Sequence, residues 1–181
     1  MAPLRVGIAG LGTVGAEVVR LIENEGRALS ARCGRSLRVV AVTARSKAKK
    51  RGIDLSGVTW AKNPLELASS PDVDCLVELM GGSGEPALSA IETALKAGKS
   101  VVTANKALIA KHGLRLANAA EKHGGALNFE AAVGAAIPIV KTLREGLAAT
   151  GINRVYGILN GTCNYILTRM EQEGLSFAEC L

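Results

Sequence analysis

Three glycines, a pair of cations and one oddly placed lysine are the residues whose types and spacing could do chemistry. Gly10, Gly12 and Gly15 form G-x-G-x-x-G at the end of the apolar run "LRVGIAG" and just before a helical pattern that starts at Val14. In that setting the first glycine permits a tight turn and the second lets backbone approach a pyrophosphate. The third allows close helix–strand packing, and the N–H groups around Thr13 and Val14 meet the phosphates. The second apolar run, "LRVVAVTA", ends where dinucleotide-binding sheets usually carry an acid for the ribose 2′-hydroxyl. Here it leads into Ala44, Arg45, Ser46 and Lys47, and the next acid is Asp54. Arg45 and Lys47 could hold a 2′-phosphate, so NADP(H) is favoured while NAD(H) is still admitted. Lys106 follows "VVTAN" at the start of another helical pattern, where a cation faces the positive end of the helix dipole. A solvated surface lysine is the plain alternative, and the residues around it have to decide.

The elements that must position these groups alternate. Strands are expected at Leu4 to Gly10, Leu37 to Ala44, Asp74 to Met80, "SVVTA" from Ser100, and "ALNFE" to Glu130, with a minor one at Val58 to Trp60. Between them the spacing predicts helices from Val14, from Asn63-Pro64 with Asn as cap, over Pro86 to Ala97, and over Lys106 to His123 with a break near Gly113. Strands alternating with helices at this spacing mean an α/β, Rossmann-type, doubly wound parallel sheet. Its ligand crevice lies at the carboxyl ends of the strands, which brings Thr103 and Lys106 towards the glycine turn. After Glu130 the rhythm changes to the loop "AAVGAAIP", the helix "PIVKTLREGLAA" opened by Pro138, and "INRVYGILNGTCNYIL", read as a strand, a tight Asn160-Gly161 turn and a helix. We place a boundary there: residues 1–130 as the nucleotide-binding domain and 131–181 as the beginning of a second, α+β domain for substrate and dimerisation.

Composition narrows the function classes. Hydrophobic residues make up 48% of the 181 residues but aromatics only 3%, so the core is aliphatic and a stacking platform for single-stranded nucleic acid is excluded. The formal charge of +6 is concentrated: Arg45, Lys47, Lys49, Lys50 and Arg51 supply five of those charges. No nucleic-acid partner is expected from so local a patch, and Lys49 to Arg51 read as a solvated basic loop. Cys33, Cys75, Cys163 and Cys180 are widely spaced, and with His112 and His123 they give no zinc-ligand spacing. A reduced, cytoplasmic chain is expected, with Cys75 buried in its strand. The glycine offsets argue against a signal peptide, and "AAVGAAIPIV" is about half of what a membrane span needs.

"GIAGLGTVG", "VVTANKALIAKHG", "EAAVGAAIPIVKTLREGL" and "GILNGTCNYILTRM" together resemble the N-terminal part of homoserine dehydrogenase, in order and spacing across the chain. The resemblance implies reversible conversion of L-aspartate 4-semialdehyde to L-homoserine with NAD(P)H, a step toward threonine, isoleucine and methionine. It implies that Lys106 sits between nicotinamide and substrate, where a cation or proton donor stabilises the alkoxide formed on an aldehyde oxygen. It further implies that Glu130, with the backbone carbonyls of Val133, Ala135 and Ile137, coordinates a monovalent cation such as sodium; a glutamate that merely caps the loop is the alternative. Gly161 and Thr162 would lie against the substrate. The family's second catalytic lysine, its substrate-binding acids and any ACT regulatory domain are expected beyond Leu181, and the full-length enzyme is expected to be a dimer or tetramer. Two other readings are a different small-substrate NAD(P) oxidoreductase and a non-catalytic nucleotide-binding module.

Overall fold

The computed structural model describes residues 1–157 and 160–181. They divide into two compact units, Met1–Val140 and Lys141–Leu181.

The first unit is built on a parallel sheet of β1 (Leu4–Ala9), β2 (Leu37–Thr43), β3 (Thr59–Trp60), β4 (Cys75–Glu78), β5 (Ser100–Thr103) and β6 (Ala126–Asn128). Their order is β3-β2-β1-β4-β5-β6. This order reverses direction between β1 and β4, and a crevice forms outside the strand ends at such a point. The strands are apolar on both faces, as a sheet covered by helices requires. Leu76 and Val101 pack with Leu67, Ile91, Leu95, Leu108 and Leu116, which come from α3 (Pro64–Ser69), α4 (Ala87–Lys96) and α5 (Lys106–His123). On the other face Val6, Ile8, Val42 and Val77 pack against Val19 of α1 (Thr13–Asn24), while Val102 of β5 stays 38% exposed.

Several expectations need correction. A second helix, α2 (Gly26–Cys33), follows α1 and ends at Gly34, whose φ of 69° gives the left-handed stop. Helix α5 runs unbroken through Gly113. Burial of Leu108, Leu116 and Ala120 outweighs the ~1 kcal/mol that an interior glycine costs. Strand β6 stops at Asn128, its last residue paired to β5, and Glu130 instead opens the short helix α6 (Glu130–Val133). Asn63 caps α3 as expected, its side chain accepting from the Glu66 N–H at 2.8 Å.

In the second unit the helical stretch α7 (Ile139–Lys141), which begins just before it, passes into a π-helical turn over Thr142–Gly146, closed by Leu147 N–H to the Thr142 carbonyl at 2.8 Å. Residues 152–157 form no strand, because no described segment pairs with them; the rest of that expected strand, Ile158 and Leu159, lies outside the described residues. The helix expected after Asn160-Gly161 is present. Asn160 caps α8 (Gly161–Glu173), its side chain accepting from the Cys163 N–H at 3.0 Å. A capping box at Ser176 and Glu179 then starts α9 (Phe177–Cys180).

Candidate cofactor crevice and reaction site

The glycine turn is shaped by three different constraints. Gly10 has φ of 102°, and a Cβ there would sit 2.6 Å from the Leu79 carbonyl oxygen. A Cβ on Gly15 would collide with the Gly10 carbonyl oxygen, so that glycine lets α1 close onto β1. A Cβ on Gly12 would meet nothing within 4 Å. Only the second glycine therefore faces open space, where a ligand's backbone contact would fall. Thr13 and Val14 are exposed at the first turn of α1, which has neither a side-chain cap nor an acidic residue. A helix start of this kind can receive an anion at its orphan N–H groups.

The basic segment after β2 is more ordered than its composition suggests. Ala44 is half-buried, and Arg45 is exposed with no hydrogen bond or ion pair among the described residues. Lys47 lies over the Trp60 ring, 5.5 Å from its centre. Arg51 is not the solvated loop residue expected. Its guanidinium donates to the carbonyls of Leu11 (2.8 Å), Lys49 (2.6 Å) and Ser46 (2.5 Å), and it also stacks over Trp60 at 5.8 Å. A fork of five donors suits carbonyls that an irregular loop leaves unpaired. Arg51 thus ties the basic loop to the glycine turn through Leu11.

At the ends of β4 and β5 lies a group that sequence reasoning missed. Glu78 is 0% exposed and paired in register with Thr103. One carboxylate oxygen accepts from the Thr103 hydroxyl at 2.6 Å; the other accepts from the Met80 N–H at 2.7 Å and the Gly81 N–H at 3.3 Å. The Thr103 oxygen in turn accepts from the Asn105 N–H at 3.0 Å. Asn105 caps α5 by accepting from the Leu108 N–H, and its amide donates to the Gly82 carbonyl at 2.7 Å. The signal in the sequence was an acid inside the apolar run "DCLVELM". Thr103, expected at the cofactor, is fully buried, and its hydroxyl is committed to this chain of bonds. Lys106 is the first residue of α5 and is exposed. It shares the carboxyl-terminal sheet edge with the glycine turn, since every strand is parallel.

Glu130 ties off the loop that follows β6: its carboxylate accepts from the Val140 N–H at 2.8 Å. The loop turns through Ala136 at φ of 62°, an uncommon conformation for a residue with a side chain. Val133, Ala135 and Ile137 are exposed, and the Ile137 carbonyl accepts from the Ile139 N–H at 2.8 Å. The capping role is thus realised. The donor set is all oxygen, and a carbonyl has a second lone pair, so it also suits a hard monovalent cation. Gly161 and Thr162 form the exposed first turn of α8 in the second unit. Burial pushes the Cys75 thiol up to about 11, so it is inert as a nucleophile near neutral pH. No helix among the described residues is long and apolar enough to cross a membrane.

The family model for the homoserine dehydrogenase NAD-binding domain matches residues 10–130, and a second model, homoserine dehydrogenase, matches residues 138–181. The chain is 44% identical over its full length to homoserine dehydrogenase of Neisseria gonorrhoeae, spanning 41% of that protein. It is 46% identical over 179 residues to that of Mycobacterium tuberculosis, spanning 40% of it. Among solved structures, homoserine dehydrogenase of Thiobacillus denitrificans aligns over 99% of this chain and 41% of its own, with a TM-score of 0.85 and 41% identity. A hyperthermophilic archaeal homoserine dehydrogenase in complex with NADPH aligns over 99% of this chain and 59% of its own, with a TM-score of 0.81 and 28% identity. The chain spans about two fifths of the length of the curated relatives it matches. With the parallel sheet, the glycine turn at its switch point and both family models in agreement, the chain belongs to the homoserine dehydrogenase family.

Proposed function

We propose that the chain carries the cofactor side of an NAD(P)-dependent homoserine dehydrogenase, interconverting L-homoserine and L-aspartate 4-semialdehyde on the route to threonine, isoleucine and methionine. The observation that carries this reading is the glycine turn at the switch point of a 3-2-1-4-5-6 sheet, with open space at Gly12 and Lys106 on the same edge. The dinucleotide, when bound, supplies or accepts the hydride at the substrate's carbonyl or carbinol carbon. Gly10, Gly12 and Gly15 with the N–H groups of Thr13 and Val14 hold its pyrophosphate. Arg45, exposed just after β2 and without a partner among the described residues, holds a 2′-phosphate with Lys47 beside it and Ala44 leaving room, which favours NADP(H) over NAD(H). Lys106 places a positive charge or a proton at the substrate oxygen as negative charge develops there. Glu130 with the carbonyls of Val133, Ala135 and Ile137 holds a monovalent cation, and Gly161 and Thr162 face the substrate. A cytoplasmic, oligomeric enzyme fits this reading, and all four cysteines are free.

Homoserine-dependent NADPH formation tests it. The 181-residue chain alone is expected to bind NADP(H) and to turn over homoserine little or not at all, since loss of positioning groups costs several kcal/mol of barrier. Turnover at an ordinary enzymatic rate would contradict this division of labour. In a chain extended to the length of its relatives, Lys106→Ala should lower kcat far more than it weakens NADPH binding. Near-normal turnover would make Lys106 a surface lysine.

A further inference from the structure

A carboxylate buried at the end of a parallel strand is costly, and Glu78 has no ion-pair partner among the described residues. An apolar side chain there would pack without that cost. What Glu78 does instead is join the exit of β4 to the end of β5. On one side it takes the N–H groups of Met80 and Gly81, fixing the exit of β4 into the loop Gly81–Gly84. Gly81 and Gly82 have φ of 78° and 84°, so this loop is intrinsically free to adopt many shapes. On the other side it takes the Thr103 hydroxyl, and Thr103 passes the constraint to Asn105. Asn105 then grips Gly82 and starts α5, whose first residue is Lys106. His112, farther along α5, lies 3.1 Å from the Ser83 carbonyl and closes the circuit. Glu78 also pairs in register with Ala9, immediately before the glycine turn.

We propose that Glu78, Thr103 and Asn105 form a buried polar clamp that fixes the Gly81–Gly84 loop against the start of α5, setting the nicotinamide end of the crevice without touching the cofactor. This deepens the dinucleotide reading and rests on it. Glu78 and Thr103 are positioning residues. Their effect falls on the half of the ligand that reaches beyond β1 towards β5, while the adenosine half is held by the glycine turn and the segment after β2.

Two ligands separate the halves: NADPH, and adenosine 2′,5′-bisphosphate, which has no nicotinamide. Binding of each is measured by titration calorimetry on the chain and on Thr103→Val, Thr103→Ser and Glu78→Gln. The clamp predicts that Thr103→Val and Glu78→Gln weaken NADPH by about tenfold, the loss expected of one buried hydrogen bond to a charged group. Affinity for adenosine 2′,5′-bisphosphate stays unchanged, and Thr103→Ser, which keeps the hydroxyl, restores NADPH. Thr103→Val retains shape and volume, so it reports even where Glu78→Gln fails to fold. Equal weakening of both ligands, or no change in either while the parent chain binds both, would overturn the clamp and leave the dinucleotide reading standing. A parent chain that binds neither ligand would overturn both.

Discussion

Asp74 and Glu78 bracket the same strand, four positions apart, and the sheet uses its two carboxylates in opposite ways. At the amino-terminal edge Asp74 meets a cation. Its oxygens accept from the Arg5 backbone N–H at 2.9 Å and from the Arg5 guanidinium at 2.7 and 3.1 Å, which holds the carboxyl down at about 2. Lys99 closes that edge by donating to the carbonyls of Ala68 and Ser70, and burial lowers its pKa. Arg5, Asp74 and Lys99 are each matched by a protein partner. At the carboxyl-terminal edge the buried carboxylate is satisfied by neutral donors, while the cations Arg45 and Lys106 remain exposed and without a partner among the described residues. One edge is self-contained and serves stability. On the proposed reading the other holds exposed charge and open helix N–H groups for a ligand, as the switch point of such a sheet should.

Substitutions can break that contrast. The largest effect is expected from Gly10→Ala, which forces a side chain into φ of 102° and against the Leu79 carbonyl. A loss of about 3 kcal/mol or more in chemical denaturation is expected, together with loss of NADPH binding. Gly12→Ala, two residues away, should separate the two properties. Its Cβ meets no protein atom within 4 Å, so the melting temperature should hold while NADPH affinity falls by about tenfold or more. A variant that binds normally would show that no pyrophosphate lies over Gly12. Arg45→Ala should weaken NADPH by roughly 1–3 kcal/mol and leave NADH nearly unchanged. Equal losses for both would remove Arg45 from the choice of cofactor.

The smallest effect belongs to the other edge. Asp74→Asn should cost about 1 kcal/mol at pH 7, because the pair is partly exposed, and should leave NADPH affinity untouched. Its pH dependence has a definite sign. The native carboxyl titrates at about 2 against an ordinary value of 3.8. Its contribution is therefore present above pH 4 and lost as pH falls toward 2. Thermal unfolding from pH 6 to pH 2 should show a shallower acid-side decline in Asp74→Asn than in the parent chain. An unchanged decline would mean that Asp74 does not carry that edge's stability.

Much of this molecule was legible in the sequence because its signals are local. The glycine offsets, the apolar strands and the Asn63 cap each declare themselves within a few residues. What stayed hidden depends on contacts between distant segments. Arg51 looked like one more cation in a basic loop until its fork met the Leu11 carbonyl, forty positions away. Glu78 looked like an exception in an apolar run until Thr103 paired with it. The strand expected before Asn160-Gly161 finds no partner among the described residues, while the helix expected after it is present and capped by the Asn side chain. The Gly113 break failed for the same kind of reason, since packing of α5 against α4 decided the outcome.

The most direct measurement is a titration of the purified chain with NADPH and, separately, NADH. Saturable binding of NADPH, tighter than that of NADH and weakened about tenfold or more by Gly12→Ala in a protein with an unchanged melting temperature, is the result expected of a ligand edge built around the glycine turn. Absence of NADPH binding up to millimolar concentration, or an affinity that Gly12→Ala leaves unchanged, would contradict it.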